Sequence, residues 1–212
     1  MNQAGASLLS AQQPEEALYF FERSLEELIT KAGQDPLKYH DIIPCVHRSH
    51  GSSNTKTGPQ HILAELESKD DSEGFVYRKP FFFNPEAAIT NELETPSFGA
   101  VILFNLALCY HMRACDSAQI TALTLYDQCL GLLQASRSEF DCSNIIVAAL
   151  NNKARICDHL KDFQSACSAY HSLADILGTE DVFTTGTIDK DDLQAICLNV
   201  YFFKIPTCAS SA

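Results

Sequence analysis

The residues best suited to hold a metal ion are Cys45, His47 and His50, spaced Cys-x-His-x2-His, with His61 beyond. Thiolate and imidazole are the ligands zinc takes, and a loop could wrap these three around one ion as a metal-responsive module. The spacing lacks the second paired arm of common zinc modules, so a polar loop is the competing reading and no cofactor is expected. Cys109, His111 and Cys115 share one helical stretch. Positions 111 and 115 lie on one face, but Cys109 fits the apolar core pattern, which favours packing over ligation. Cys157 and His159 come nearest to a nucleophile with its base, yet residues two apart on a helix do not face each other. Phosphate loops, nucleophile elbows and the paired-histidine metalloprotease motif do not occur in the chain. The acidic pairs Glu15-Glu16 and Asp191-Asp192 stand where helix starts favour negative charge. The chain is expected not to be an enzyme. A deep pocket holding a perturbed Cys, His or acid would overturn that expectation.

The elements that position these residues repeat a pattern of small and large apolar residues three times. Ala4-Gly5-x2-Leu8 is followed by Ala17, Phe21 and Ser24. Leu106-Ala107-x2-Tyr110 is followed by Ala122, Tyr126 and Cys129. Lys153-Ala154-x2-Cys157 is followed by Ala166, Tyr170 and Leu173. Small residues at two fixed places let paired helices cross closely, and the aromatic four residues later fills the space beside the crossing. Gly5 and Ala17 are twelve residues apart, as are Ala154 and Ala166.

The 212 residues suffice for a single domain with a buried core, and 46% apolar with 20% charged residues is a folded, soluble composition. The net charge of −12 is spread along the chain without a basic cluster, which disfavours nucleic acid and anionic membrane as partners. An acidic body favours basic or neutral partners. No apolar run is long enough to span a bilayer. Most of the nine cysteines sit within apolar helical pattern, with no leader-like segment and no disulfide spacing, so a reducing compartment, the cytoplasm or nucleus, is expected.

The order of elements follows from the breakers. Residues 1–33 form a first helix pair, broken at Gln13-Pro14-Glu15-Glu16 and stopped by Gly33 and Pro36. Its first helix starts almost at Met1, without residues for an opening turn. Residues 34–96 form an insertion with linker composition at 51–59 and an extended aromatic segment, Phe75 to Asn84. Pro80 keeps that segment at an edge or out of a ladder. A second pair over 97–136 follows the restart at Thr95-Pro96, with helices from Val101 to Cys115 and from Ala118 to about Ala135. The fifteen residues between Ala107 and Ala122 predict a longer turn around Asp116-Ser117. A third pair over 142–178 is capped by Ser143 and turns at Lys161-Asp162. Residues 189–203 form a helix that caps the stack.

These residues resemble the tetratricopeptide repeat family, whose unit of about 34 residues carries small residues on both helices and aromatics at fixed offsets. The likeness covers roughly residues 1–28, 104–129 and 150–173, and Asn105-Leu106-Ala107-Leu108-Cys109-Tyr110 is its most family-like stretch. The degenerate, interrupted arrangement is similar to an uncharacterised eukaryotic type. The resemblance implies an all-α, right-handed stack of antiparallel helix pairs whose first helices line a concave groove. Carried onto this chain, the groove positions are Phe104, Asn105 and Leu108 in the second unit and Asn151, Asn152 and Arg155 in the third. Asn105 and Asn152 occupy the same repeat position, where a carboxamide can donate to and accept from a peptide backbone. Arg155 could hold a carboxylate in a fork. The family's clamp for terminal carboxylates also needs a lysine four residues before the asparagine, and this chain has Val101 and Ala148 there. The expected function is a non-catalytic interaction module or scaffold whose partner is a protein, bound as an extended peptide or a helix. The alternative is a groove filled by the chain's own Phe75–Phe83 run or by Phe202-Phe203, with a structural role.

Overall fold

The computed structural model describes residues 1–32, 74–82, 95–113, 115–135, 142–178 and 188–209. Among them are seven helices and no strand: α1 (Asn2–Ser10), α2 (Pro14–Ala32), α3 (Thr95–His111), α4 (Asp116–Ala135), α5 (Ser143–His159), α6 (Phe163–Leu177) and α7 (Lys190–Ala209). Short turns fold α2 back on α1, α4 on α3 and α6 on α5. Successive pairs then meet through α2 with α3 and α4 with α5, and α7 packs on α6.

Small residues sit where these helices meet. Ala17, Ala107, Ala122, Ala154 and Ala166 are fully buried, beside the buried rings of Phe21, Tyr126 and Tyr170. At Gly5 the approach is close: a β-carbon there would lie 2.9 Å from the Phe21 ring. Gly5→Ala should therefore destabilise the fold by about 1–2 kcal/mol, the overpacking penalty less the gain in helix propensity. Thermal unfolding should register it as a drop of several degrees. An unchanged midpoint would show that the Phe21 ring moves aside freely.

The first and third pairs share one turn. Gln12 and Lys161 both take positive φ, 58° and 63°. In each case the next residue bonds back to the helix, Gln13 N–H to Leu8 C=O at 2.9 Å and Asp162 N–H to Cys157 C=O at 2.8 Å. This left-handed residue with its back-bond closes off the last carbonyls of the first helix. The second helix then opens in two ways. Asp162 accepts from the Ser165 N–H at 3.1 Å as an N-cap, and the Ser165 bonds hold its carboxyl below the usual range. In the first pair Pro14 takes the first helical position instead, with Glu15 and Glu16 in the first turn.

The second pair departs from the sequence expectation at its ends. α3 begins at Thr95 and stops at His111 rather than running from Val101 to Cys115, and Asp116 and Ser117 already belong to α4 rather than to a turn. Arg113 leaves the helix to grip the Glu15 carboxylate of α2 with Nε and Nη2. The Cys115 carbonyl accepts from Ala118 and Gln119, which puts Asp116 in the first turn of α4. At α5 the Cys142 carbonyl opens the helix, accepting from Ile145 and Ile146, and Ser143 is already helical rather than its cap.

Candidate functional site

The segment 74–82 has no helix or strand of its own, and its backbone groups find side-chain partners on the helices. Three carboxamides do this in the same way. Asn199 of α7 accepts from the Phe75 N–H at 2.9 Å and donates to the Phe75 carbonyl at 2.6 Å. Asn152 of α5 does so with Tyr77, at 2.9 and 2.8 Å. Asn105 of α3 does so with Phe81, at 2.9 and 2.8 Å. The chain thus crosses α7, α5 and α3 in turn. It runs opposite to the order of the helices in sequence. Partners at Phe75 and Tyr77, two residues apart, place those backbone groups on one side of an extended chain.

A second layer of amides orients the first. Asn151 donates to the Phe75 carbonyl at 3.2 Å and accepts from Asn199 at 2.8 Å. Asn2 of α1 accepts from Asn105 at 3.3 Å. Asn152 also donates to the Tyr126 hydroxyl at 3.0 Å, which in turn lies 3.4 Å from His111 Nδ1. Asn105, Asn151 and Asn152 are fully buried. A carboxamide so placed is held by its own partners in the orientation that reads a backbone.

Aromatic packing adds to the amide contacts. Tyr77 and Phe81, both buried, stack with centroids 5.6 Å apart and planes 20° from parallel. Phe104 meets Phe81 edge-on at 4.9 Å and Tyr77 at 6.2 Å, and its other neighbour is Tyr126 at 5.6 Å. Burial pushes the Tyr77 phenol up to about 12, with the Asp192 charge adding to it. Tyr126 is raised further by burial, against the Asn152 bond, which acts the other way. Both phenols are neutral at physiological pH. Outside this layer Lys79 pairs with Asp189 and, at 2.7 Å, with Asp192, and those bonds raise its ammonium above the usual value. At Gly74 the φ of 77° suits glycine, and a β-carbon would lie 2.9 Å from Arg155 Cζ and from Asn199 Oδ1.

Gly74→Ala should loosen this end of the segment, since both the backbone and the space oppose a side chain. The expected outcome is faster tryptic cleavage after Arg78 with the helical circular dichroism unchanged. Cleavage at the wild-type rate would mean that Gly74 does not anchor the segment.

Of the residues singled out from sequence, Phe104, Asn105, Asn151 and Asn152 gather around the segment. Leu108 is fully buried in the core. Arg155 borders Gly74, but its Nη1 donates to Asp158 on its own helix at 3.1 Å, so the fork is engaged locally. Sequence reasoning missed Asn199 and Asn2. A signal for Asn199 was present: 47 residues separate Asn105 from Asn152, and again Asn152 from Asn199.

Among the described residues the other chemical candidates form no metal cluster, since no three His, Cys, Asp or Glu side chains gather as metal ligands. Cys45, His47, His50 and His61 lie outside the described residues, as does Phe83. Cys109 and Cys129 are buried, and burial raises both thiols. The Cys157 thiol is pushed up to about 11, chiefly by burial, and His159 lies 3.5 Å from Asp116 instead. Phe202 is exposed, while Phe203 packs on Tyr170 at 4.5 Å. Among the described residues no helix is long and apolar enough to cross a membrane. No protein-family model, curated protein or solved structure matches this chain.

Proposed function

We propose that this chain is a non-catalytic peptide-recognition module, a tetratricopeptide-like, right-handed solenoid of helix pairs that holds an extended segment of another protein in its concave groove. The observation that carries this reading is the repeated geometry at Asn105, Asn152 and Asn199. Each carboxamide meets both the N–H and the C=O of one residue in a single extended segment. Such pairing recognises a backbone without regard to its side chains. Residues 74–82 are then the resident ligand, held in cis.

The burial of Tyr77 and Phe81 favours a second reading, in which the segment is a permanent strut. The two readings differ in whether the segment can be replaced. Intramolecular attachment gives it an effective concentration on the order of millimolar, so an outside peptide competes poorly with the wild-type chain.

The test uses the full chain carrying Tyr77→Ala and Phe81→Ala, titrated against a labelled peptide of residues 74–82 and followed by fluorescence anisotropy. Saturable binding is expected in this variant. It should be far weaker in wild type, and lost when Asn105→Ala and Asn152→Ala are added. If the double variant loses its helical signal, Phe81→Ala alone serves the same titration. A folded variant that takes no peptide would make the segment a strut and end the proposal.

A further inference from the structure

We infer that the groove selects partner segments of the form Gly-x-x-aromatic-x-Lys-Pro-aromatic, entering with the polarity of residues 74–81. This rests on the peptide-recognition reading above and adds the chemistry of the partner to it. The carboxamides grip backbone alone, so selectivity arises where side chains of the segment land.

Five positions carry it. Tyr77 and Phe81 are buried against Phe104, and each flat ring occupies space that a smaller side chain would leave empty. Pro80 is buried between the Tyr77 and Phe81 grips, and none of the three asparagines reaches its backbone. A residue with an N–H would bury a donor opposite no carboxamide, a loss proline avoids. Lys79 bridges Asp189 and Asp192 at the start of α7. A glutamate in its place would face two carboxylates on a body of net charge −12, so the wrong partner is repelled as well as the right one attracted. Gly74 is favoured by its φ of 77° and because a β-carbon there would lie 2.9 Å from Arg155 Cζ and from Asn199 Oδ1.

Arg78 is exposed and Phe75 and Val76 are half-buried; these three are the unread positions, and exposed Phe82 lies beyond the motif. The fitting partner is therefore a basic, proline-containing, aromatic stretch of another protein in extended form. The acidic surface of the chain favours the encounter.

The deciding experiment titrates the full-chain Tyr77→Ala/Phe81→Ala variant with synthetic 74–82 peptides, native and substituted. Relative to the native peptide, the Tyr77→Ala peptide should bind about 30-fold more weakly, the loss of a buried aromatic. The Lys79→Glu peptide should bind roughly tenfold more weakly at low salt, a deficit that shrinks as salt rises. In a host that also carries Asp189→Asn and Asp192→Asn, native and Lys79→Glu peptides should bind alike, which a merely structural role for these acids would not produce. If all peptides bind within about twofold of the native one, the groove reads backbone alone: the selectivity proposal fails and the peptide-recognition reading stands. If no peptide binds, both fail. Concentration-dependent dimerisation of the wild type, abolished by Phe81→Ala, would assign the groove to a second copy of this chain and overturn the choice of partner. Should the double variant not fold, Phe81→Ala alone serves as the host for the same titrations.

Discussion

Asn152→Leu should cost about 3–5 kcal/mol of stability, the sum of two stranded backbone groups at Tyr77 and a broken bond to Tyr126. Leucine has a similar size but neither accepts from the Tyr77 N–H nor donates to its carbonyl. The segment then has two courses. It can stay docked with a buried donor and acceptor unpaired, or leave and hydrate them. Undocking sets a ceiling on the cost. The measurement pairs a thermal melt with trypsin. A loss of this size lowers the midpoint by roughly 10 °C for a chain of this length, and cleavage after Arg78 should accelerate in proportion. Asn151→Ala is the control: its one bond to the segment is at 3.2 Å and it also accepts from Asn199, so about 2 kcal/mol is expected. Equal effects from the two substitutions would mean that the paired geometry at Asn152 has no special weight.

Phe104→Ala should be comparably damaging, about 3–5 kcal/mol, as for other fully buried phenylalanines. Its ring stands between the segment, through Phe81 and Tyr77, and the α3–α4 pair, through Tyr126. One truncation therefore weakens both the seat of the segment and the helix pair beneath it. Phe104→Leu keeps most of the volume and should cost no more than about 1.5 kcal/mol. Urea unfolding distinguishes them by midpoint at constant slope. Full destabilisation by Phe104→Ala with Arg78 still protected from trypsin would show that the aromatic cluster does not seat the segment.

The all-helical character was legible because small and aromatic residues recur on a helical period, as at Gly5, Ala17 and Phe21. Asn105 and Asn152 stood out for the same reason: each lies two residues before the small residue of its helix. Asn199 did not, because α7 is the last described helix and no following small–aromatic helix marks its frame. Only the 47-residue interval connects it to the others. Arg155 misled because its residue type suggested an incoming carboxylate, while Asp158, three positions on, already supplied one. The ends of α3 were misplaced since apolar pattern runs through Cys115 and nothing local announces that Arg113 will turn toward Glu15. The cysteine and histidines of the 45–50 run lie outside the described residues, so that reading stays where the sequence put it.

Amide protons of coil ordinarily trade with heavy water within seconds, but those of Phe75, Tyr77 and Phe81 are clamped by side-chain oxygens of three different helices. Deuterium labelling of residues 75–82 should therefore give slow sites at these three positions among faster ones, with none at Pro80. Each slow site reports on a separate carboxamide. The lifetimes of the three would show which end of the segment lifts first.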